Sequence, residues 1–156
     1  MLEIREAHFP EDRDEVVHLF RAYAASLSVD LCFQGFEAEV AGLPGAYAPP
    51  GGRLLVACED GKAIGCGALR PAGEATAEMK RLYVEPRGRG KRVGEKLAAA
   101  IIAAAREIGY RRLCLDTLPE MGPAQELYRK LGFVDIAPYY ANPIPGARFL
   151  GLDLTS

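Results

Sequence analysis

A short, basic, glycine-rich segment is the part of the sequence whose residue types point most directly to chemistry. It contains three glycines and three cations, Gly88, Arg89, Gly90, Lys91, Arg92 and Gly94. An apolar segment precedes it and a helical pattern follows it, so several backbone N–H groups lie at the positive end of a helix dipole. Glycines let a backbone approach its ligand closely, and the cations add full positive charge. The segment therefore predicts a binding site for a phosphate group.

The spacing of these glycines does not match two other common phosphate-binding loops. Gly88-x-Gly90-x-x-x-Gly94 misses the dinucleotide-binding pattern by one residue. That fold also needs parallel strands on both sides, whereas the preceding segments predict hairpins. No Ser or Thr follows Lys91 to hold magnesium, which argues against a nucleoside triphosphate loop. A basic surface turn without a ligand is the remaining alternative.

The composition is that of one globular domain covering residues 1–156. The chain is 49% hydrophobic and 26% charged, and a chain of this length buries about 70% of its unfolded surface. Because the net charge is −2 while cations concentrate at 80–96, a small phosphorylated ligand fits better than a nucleic acid. Neither an apolar signal segment at 1–6 nor a run long enough to span a bilayer occurs, so we expect a cytoplasmic protein without a membrane partner.

Hydrophobic periodicity and turn residues predict the element order β-α-α-β-β-β-α-β-α-β-β. The predicted strands are 2–6, 53–59, 62–70, 76–84, 112–117, 133–136 and 148–154. The predicted helices begin at Pro10, Phe36, Val93 and Pro123. Asp60-Gly61 between two apolar runs is a hairpin signal, and a helical crossover would make 112–117 parallel to 76–84. The fold class is α/β, a single domain with a mixed, mostly antiparallel central sheet flanked by helices.

Two motifs resemble those of the GNAT superfamily of N-acetyltransferases. The acetyl-coenzyme A motif of that family is similar to Val84-x-Pro86 followed by Arg89-Gly90-Lys91-Arg92-Val93-Gly94. Its late helix–strand signature is similar to Ala124-x-x-Leu127-Tyr128-x-x-Leu131-Gly132-Phe133. The motifs occur in the family's order, and the predicted elements match the family's fold across nearly the whole chain. The resemblance implies a GNAT-like fold and an acetyl-CoA-dependent N-acetyltransferase without a metal.

The resemblance also implies a role for each matching residue. Backbone groups of Leu82 and Val84 would pair with the pantetheine arm, as one more strand on a splayed sheet edge. Amides of the glycine-rich segment would hold the pyrophosphate, and Tyr128 would protonate the departing thiolate, although a helix Tyr is also a common core residue. The implied cofactor-binding residues are Leu82, Val84, Arg89, Gly90, Lys91, Arg92, Val93 and Gly94.

Two positions depart from the family's pattern. Arg92 replaces a glycine, and a positive φ there would cost an arginine about 1 kcal/mol. We expect instead a helical backbone at Arg92, with its side chain paired to a phosphate. Met121 replaces a frequent asparagine, so a side-chain contact to the cofactor or a water is expected to be missing.

Acetyl transfer to an amine needs a group that removes a proton. His8 and His18 lie in the N-terminal segment, and we interpret them as packing or surface residues. Glu78 lies where family members often place a catalytic glutamate, and an apolar cleft can raise the pKa of a carboxylate toward a useful range. The alternative is that Glu78 pairs with a cation such as Arg70 or Lys80.

The acceptor is expected between the N-terminal helices and the loop 139–146. Candidate substrate-binding residues are Phe33, Tyr139, Tyr140 and Asn142, with purely structural loops as the alternative. Arg81 and Arg148 could bind an acceptor carboxylate, although we expect surface ion pairs for both.

The predicted reaction is direct acetyl transfer to a small-molecule amine. Cys58, Cys66 and Cys114 lie in apolar runs and are expected to be buried thiols, so no cysteine is predicted as a nucleophile. The alternatives are a protein N-terminal or lysine acetyltransferase and a non-catalytic CoA-binding domain. Both a monomer and a homodimer are compatible with the sequence.

Overall fold

The elements follow the predicted order. The computed structural model describes residues 2–27, 35–88, 90, 92–118 and 121–155. The strands are β1 (Leu2–Glu6), β2 (Arg53–Glu59), β3 (Lys62–Gly73), β4 (Thr76–Val84), β5 (Arg112–Thr117), β6 (Val134–Asp135) and β7 (Arg148–Asp153). The α-helices are α1 (Arg13–Ser26), α2 (Phe36–Ala41), α3 (Val93–Ile108) and α4 (Gly122–Lys130). Two single 3₁₀ turns occupy Gly45–Tyr47 and Pro86–Gly88.

One seven-stranded sheet organises the chain, in the spatial order β1-β2-β3-β4-β5-β7-β6. The first four strands form an antiparallel meander, and Asp60-Gly61 makes the predicted hairpin turn, with both residues at positive φ. β4 and β5 are the parallel pair that α3 connects. The mixed, mostly antiparallel sheet flanked by helices is thus confirmed.

The core lies on both faces of the sheet. On one face α3 buries its apolar stripe, which includes Val93, Leu97 and Ile101, against the strands. On the other face α1 and α2 bury Phe20 and Phe36 over the first strands of the meander. α1 also contacts β4, whereas the loop that follows β6 contacts Glu78 of β4 and Asp116 of β5.

Some element ends differ from the prediction. α1 begins at Arg13 rather than Pro10, because the Asp12 carboxylate accepts the His8 backbone N–H and holds residues 8–12 in a turn. α2 ends at Ala41, and the predicted strand 133–136 is reduced to Val134–Asp135 at the sheet edge. Among the residues described, no helix is both long and apolar enough to cross a membrane.

Candidate active site

The site is built where β4 and β5 separate. These strands pair only from Thr76 with Arg112 to Glu78 with Cys114. Immediately afterwards the register between β3 and β4 shifts, and Arg81 takes a positive φ of 61°. A bulge of this kind bends a strand and increases its twist. β4 therefore turns away from β5 and leaves its edge unpaired by β5 beyond Glu78.

On the α3 side, this divergence opens a cleft of about 550 Å³, here called the outer cleft. Its lining includes six of the eight predicted cofactor-binding residues, Leu82, Val84, Gly90, Arg92, Val93 and Gly94. The predicted set that the structure describes is therefore brought together in one place. Arg89 and Lys91 lie outside the described residues.

The amino end of α3 borders the outer cleft. Arg92 precedes the helix, and its side chain makes no capping hydrogen bond to the first turn. The first N–H groups of a helix have no partner within the helix, so those of Val93 and Gly94 are available to an anion. This terminus and the neighbouring β4 edge have the donor chemistry that a pyrophosphate and an amide-bearing pantetheine arm need, so the residues fit coenzyme A.

The expectation of a helical backbone at Arg92 is wrong. Arg92 has φ 60° and ψ 27°, a left-handed conformation, because the chain must turn sharply from Gly90 into the helix axis. Its exposed side chain lies 3.3 Å from Glu95, which Lys130 also contacts at 3.1 Å. The positive-φ alternative and its strain of about 1 kcal/mol therefore apply.

Deeper in the divergence lies a narrow space of about 30 Å³, the inner cavity. Tyr128 from α4 contributes to its wall, together with Met79 and Lys80 from β4 and Asp116 from β5. Tyr128 is 5% exposed and packs edge-on against Phe133. Its hydroxyl makes no hydrogen bond with any described residue, and burial raises the pKa of this phenol.

On the opposite face of the sheet, a pocket of about 420 Å³, the loop pocket, lies under Tyr139 and Tyr140. Glu78 and Arg70 line it. The three spaces form a series. Leu82 borders both the outer cleft and the inner cavity, and Lys80 borders both the inner cavity and the loop pocket. The three spaces are thus neighbours along the line where β4 leaves β5.

Glu78 is buried, and its carboxylate is hydrogen-bonded at both oxygens. Arg70 contacts Oε1 through two nitrogens at 2.8 and 2.9 Å. The Tyr139 hydroxyl donates to Oε2 at 2.7 Å, and the Lys80 ammonium lies 4.0 Å from the same oxygen. The alternative reading, in which Glu78 pairs with Arg70, is therefore present in the structure. Burial, followed by the charge of Glu78, raises the pKa of Tyr139.

The other residues of the predicted acceptor loop contact a carboxylate that sequence reasoning missed. The Tyr140 hydroxyl and the Asn142 amide both donate to Oδ2 of Asp116, the amide at 3.1 Å. No motif marks Asp116, since it stands in an ordinary apolar strand and its partners follow more than twenty residues later. Its position on the same sheet face as Glu78 was the one available signal. Phe33, the fourth predicted substrate-binding residue, lies outside the described residues.

Arg81 is not the surface residue expected from the sequence. It is buried and bonds both oxygens of Glu39 at 2.8 and 2.9 Å, while its guanidinium lies 5.3 Å from the Phe36 ring centre. Burial opposes the charge of Arg81, but the hydrogen bonds with Glu39 and the negative charge of Glu39 together outweigh burial and raise the pKa of Arg81. The pair anchors α2 to the bulge. Arg148, by contrast, makes the expected surface pair, with Asp135 at 2.9 Å.

Three cysteines confirm the sequence interpretation. Cys58, Cys66 and Cys114 are buried and unpaired. Burial raises the pKa of Cys66 to about 12 and that of Cys114 to about 11, so both stay protonated and unreactive near neutral pH. Within the part of the chain that the structure describes, no group of three or more His, Cys, Asp or Glu side chains could hold a metal ion.

Comparison with known proteins connects this site to a family. The model of the acetyltransferase (GNAT) family matches residues 9–133. An uncharacterised N-acetyltransferase of Schizosaccharomyces pombe is 38% identical over 156 residues, which cover 99% of this chain and 96% of that protein.

Two solved structures have the same fold. A putative acyl-CoA N-acyltransferase from Klebsiella pneumoniae superposes with a TM-score of 0.75 at 29% identity, over 99% of this chain and 98% of that one. A putative acetyltransferase from Salmonella typhimurium, solved with its cofactor acetyl-CoA, gives a TM-score of 0.73 at 21% identity, over 100% and 95%. The chain described here belongs to the GNAT family of acetyltransferases.

Proposed function

We propose that the protein transfers an acetyl group from acetyl-CoA directly to the amine of a small-molecule acceptor. The observation that carries the proposal is the row of three neighbouring spaces, from the outer cleft at the α3 terminus, through the inner cavity beside Tyr128, to the loop pocket. A donor in the outer cleft and an acceptor in the loop pocket would lie on either side of the inner cavity. The acetyl-CoA bound to the Salmonella structure of the same fold supports the choice of donor.

The residues of the outer cleft would hold the donor. The β4 edge that diverges from β5 beyond Glu78 can take the amide groups of the pantetheine arm as an added strand. The N–H groups that begin α3 can take the pyrophosphate. When bound, acetyl-CoA supplies an acetyl group activated as a thioester.

Tyr128 is the proposed general acid. Because burial raises the pKa of its hydroxyl, the phenol keeps its proton at neutral pH and can donate it to the sulfur while the C–S bond breaks. The hydroxyl has no other partner among the described residues. Donating that proton would therefore break no hydrogen bond seen in the structure.

The loop pocket would hold the acceptor. Its volume of about 420 Å³ suits a small molecule. Arg70 and Lys80 both line it beside Glu78, so it is not the acidic groove that would attract a lysine-rich or N-terminal peptide. This charge pattern favours the small-molecule acceptor over a protein substrate. The predicted role of Glu78 as the base stays a prediction, since Asp116 is a second carboxylate on this face.

Two measurements test the proposal. Titration calorimetry should show binding of acetyl-CoA and no binding of NADPH. A panel of small amines and of peptides with free N-termini or lysines, screened for release of the CoA thiol, should give turnover with small amines. Turnover with peptides alone would identify a protein acetyltransferase. Acetyl-CoA binding without turnover on any amine would identify a non-catalytic CoA-binding domain.

A further inference from the structure

Two carboxylates lie on the acceptor face, and only one of them reaches the inner cavity. Glu78 pairs with Cys114 in the last step of the β4–β5 ladder. Asp116 lies two residues further along β5, on the same face because side chains alternate. Asp116 lines the inner cavity with Tyr128, whereas Glu78 lines the loop pocket.

The hydrogen bonds of the two carboxylates differ. Both oxygens of Glu78 are engaged, Oε1 by Arg70 and Oε2 by the Tyr139 hydroxyl. Asp116 accepts both of its hydrogen bonds at Oδ2. Its other oxygen, Oδ1, accepts none from the described residues. Asp116 thus keeps one oxygen for a ligand, and Glu78 does not.

A connected network fixes the orientation of Asp116. The Asn142 amide also donates to the Tyr140 hydroxyl at 3.0 Å, and Oδ1 of Asn142 accepts the Ile144 N–H at 2.9 Å. The Tyr140 ring packs edge-on against Phe149, with ring centres 5.4 Å apart. Phe149 pairs with Asp116 across β5 and β7. The loop and the neighbouring strand therefore hold this carboxylate in one position.

We propose that Asp116 is a catalytic residue, whose Oδ1 binds the acceptor ammonium and takes a proton from it. The inference rests on the proposed acetyl transfer. The nitrogen lone pair so freed forms the C–N bond with the acetyl carbonyl carbon, and the C–S bond breaks. The sulfur takes the Tyr128 proton, and the second proton lost by the nitrogen restores the Tyr128 hydroxyl. Glu78 acts instead as the partner that holds Arg70 and Tyr139.

Several titratable and charged side chains lie near Asp116. The titratable and charged side chains that surround it in the inner cavity and on the covering loop are Tyr23, Lys80, Arg81, Tyr128 and Tyr140. Lys80 stands on the facing strand, where burial lowers its pKa and the charge of Glu78 partly restores it.

The experiment compares Asp116→Asn with Glu78→Gln and with Asp135→Asn, which changes an exposed carboxylate that pairs with Arg148. Calorimetry with the acceptor amine on CoA-loaded protein should show at least tenfold weaker binding for Asp116→Asn. In turnover, kcat/KM of Asp116→Asn should fall about 100-fold, the usual contribution of a general base. The decrease in kcat/KM should be smaller for amines of low pKa, because these amines are already neutral in solution and need no base. Asp135→Asn should match the wild type, and Glu78→Gln should keep the wild-type dependence of rate on amine pKa.

The inference is overturned if Asp116→Asn stays within threefold of wild type in both measurements, or if Glu78→Gln alone shows the dependence on amine pKa. If Asp116→Asn does not fold, Tyr140→Phe supplies the test. Tyr140→Phe removes one hydrogen bond to Oδ2 of Asp116, so the carboxylate is held less firmly. This variant should have a kcat several-fold lower than the wild type and the same affinity for acetyl-CoA. An unchanged kcat contradicts the inference. If the wild-type protein turns over no amine, the proposed acetyl transfer itself is refuted. If the wild-type protein is active and Asp116→Asn is unaffected, only the proposed role of Asp116 is refuted.

Discussion

Glu78 and Cys114 form the last pair between β4 and β5. The early end of this ladder opens the space in which the site lies. The bulge at Arg81 carries β4 away, the gap admits Tyr128 from one face and Asp116 from the other, and the β4 edge is left for a ligand. The neighbouring spaces of the site therefore arise from the divergence of β4 from β5.

The Tyr128 hydroxyl should matter for rate and not for stability. Because it makes no hydrogen bond with a described residue, Tyr128→Phe should change the free energy of unfolding by less than about 0.5 kcal/mol. As the general acid it should contribute about 100-fold to kcat at saturating substrates. Unfolding curves and steady-state rates of the variant check both.

Tyr110 offers a matched control. Its hydroxyl donates to the Gly51 carbonyl at 2.7 Å, away from the site, so Tyr110→Phe should lose about 1 kcal/mol of stability and keep kcat. A Tyr128→Phe variant that retains the full kcat would show that the hydroxyl is not the acid.

Arg92 should be a strained residue. Arg92→Gly should raise the free energy of unfolding by about 0.5–1 kcal/mol, because glycine adopts the left-handed conformation without a Cβ clash. The exposed contact with Glu95 that is lost contributes little. The control is Ala99→Gly, because Ala99 is exposed and lies in the middle of α3. Its free energy of unfolding should fall by about 1 kcal/mol. If Arg92→Gly is destabilised as much as Ala99→Gly, the strain is absent.

The buried pair of Arg81 and Glu39 should be sensitive to the loss of one partner. Arg81→Met leaves Glu39 without its buried cation and should reduce the free energy of unfolding by about 3–5 kcal/mol. Arg148→Met removes an exposed pair and should change it by less than about 1 kcal/mol. Chemical unfolding of both variants gives the comparison. Equal effects would mean that burial of the Arg81 pair has no energetic consequence.

The pair of Asp12 and Arg5 should make stability depend on pH. Hydrogen bonds from Arg5 lower the pKa of Asp12 to about 2, below its value of about 3.9 in an unfolded chain. The contribution of this pair to the free energy of unfolding is therefore complete above about pH 4 and disappears as the pH falls toward about 2. Asp12→Asn should reduce the free energy of unfolding at pH 7 by about 1–2 kcal/mol, allowing for solvent screening at Arg5. Urea unfolding should show that the wild type is more stable than Asp12→Asn at pH 7 but not at pH 2. An equal difference in the free energy of unfolding at both pH values would contradict the proposed contribution of the Asp12–Arg5 pair.

The sequence was informative where local rules decide the structure. Alternation and Asp60-Gly61 determine the meander, and the glycine-rich turn locates the start of α3 and the cleft beside it. The features that it did not reveal depend on distant residues. The conformation of Arg92 follows from how the turn must meet α3, and Arg81 is buried because α2 supplies Glu39. Asp116 becomes part of a site only when the loop after β6 folds back onto β5.

The transfer of label from acetyl-CoA to amine tests the central claim most directly. The protein is mixed with acetyl-CoA carrying an isotopic label in the acetyl group and with the best amine from the panel, and products are followed by mass spectrometry. We predict one labelled N-acetyl amine for each CoA thiol released, with no label retained on the protein. Thiol release without labelled amine, or label bound covalently to the protein, would contradict direct acetyl transfer to an amine.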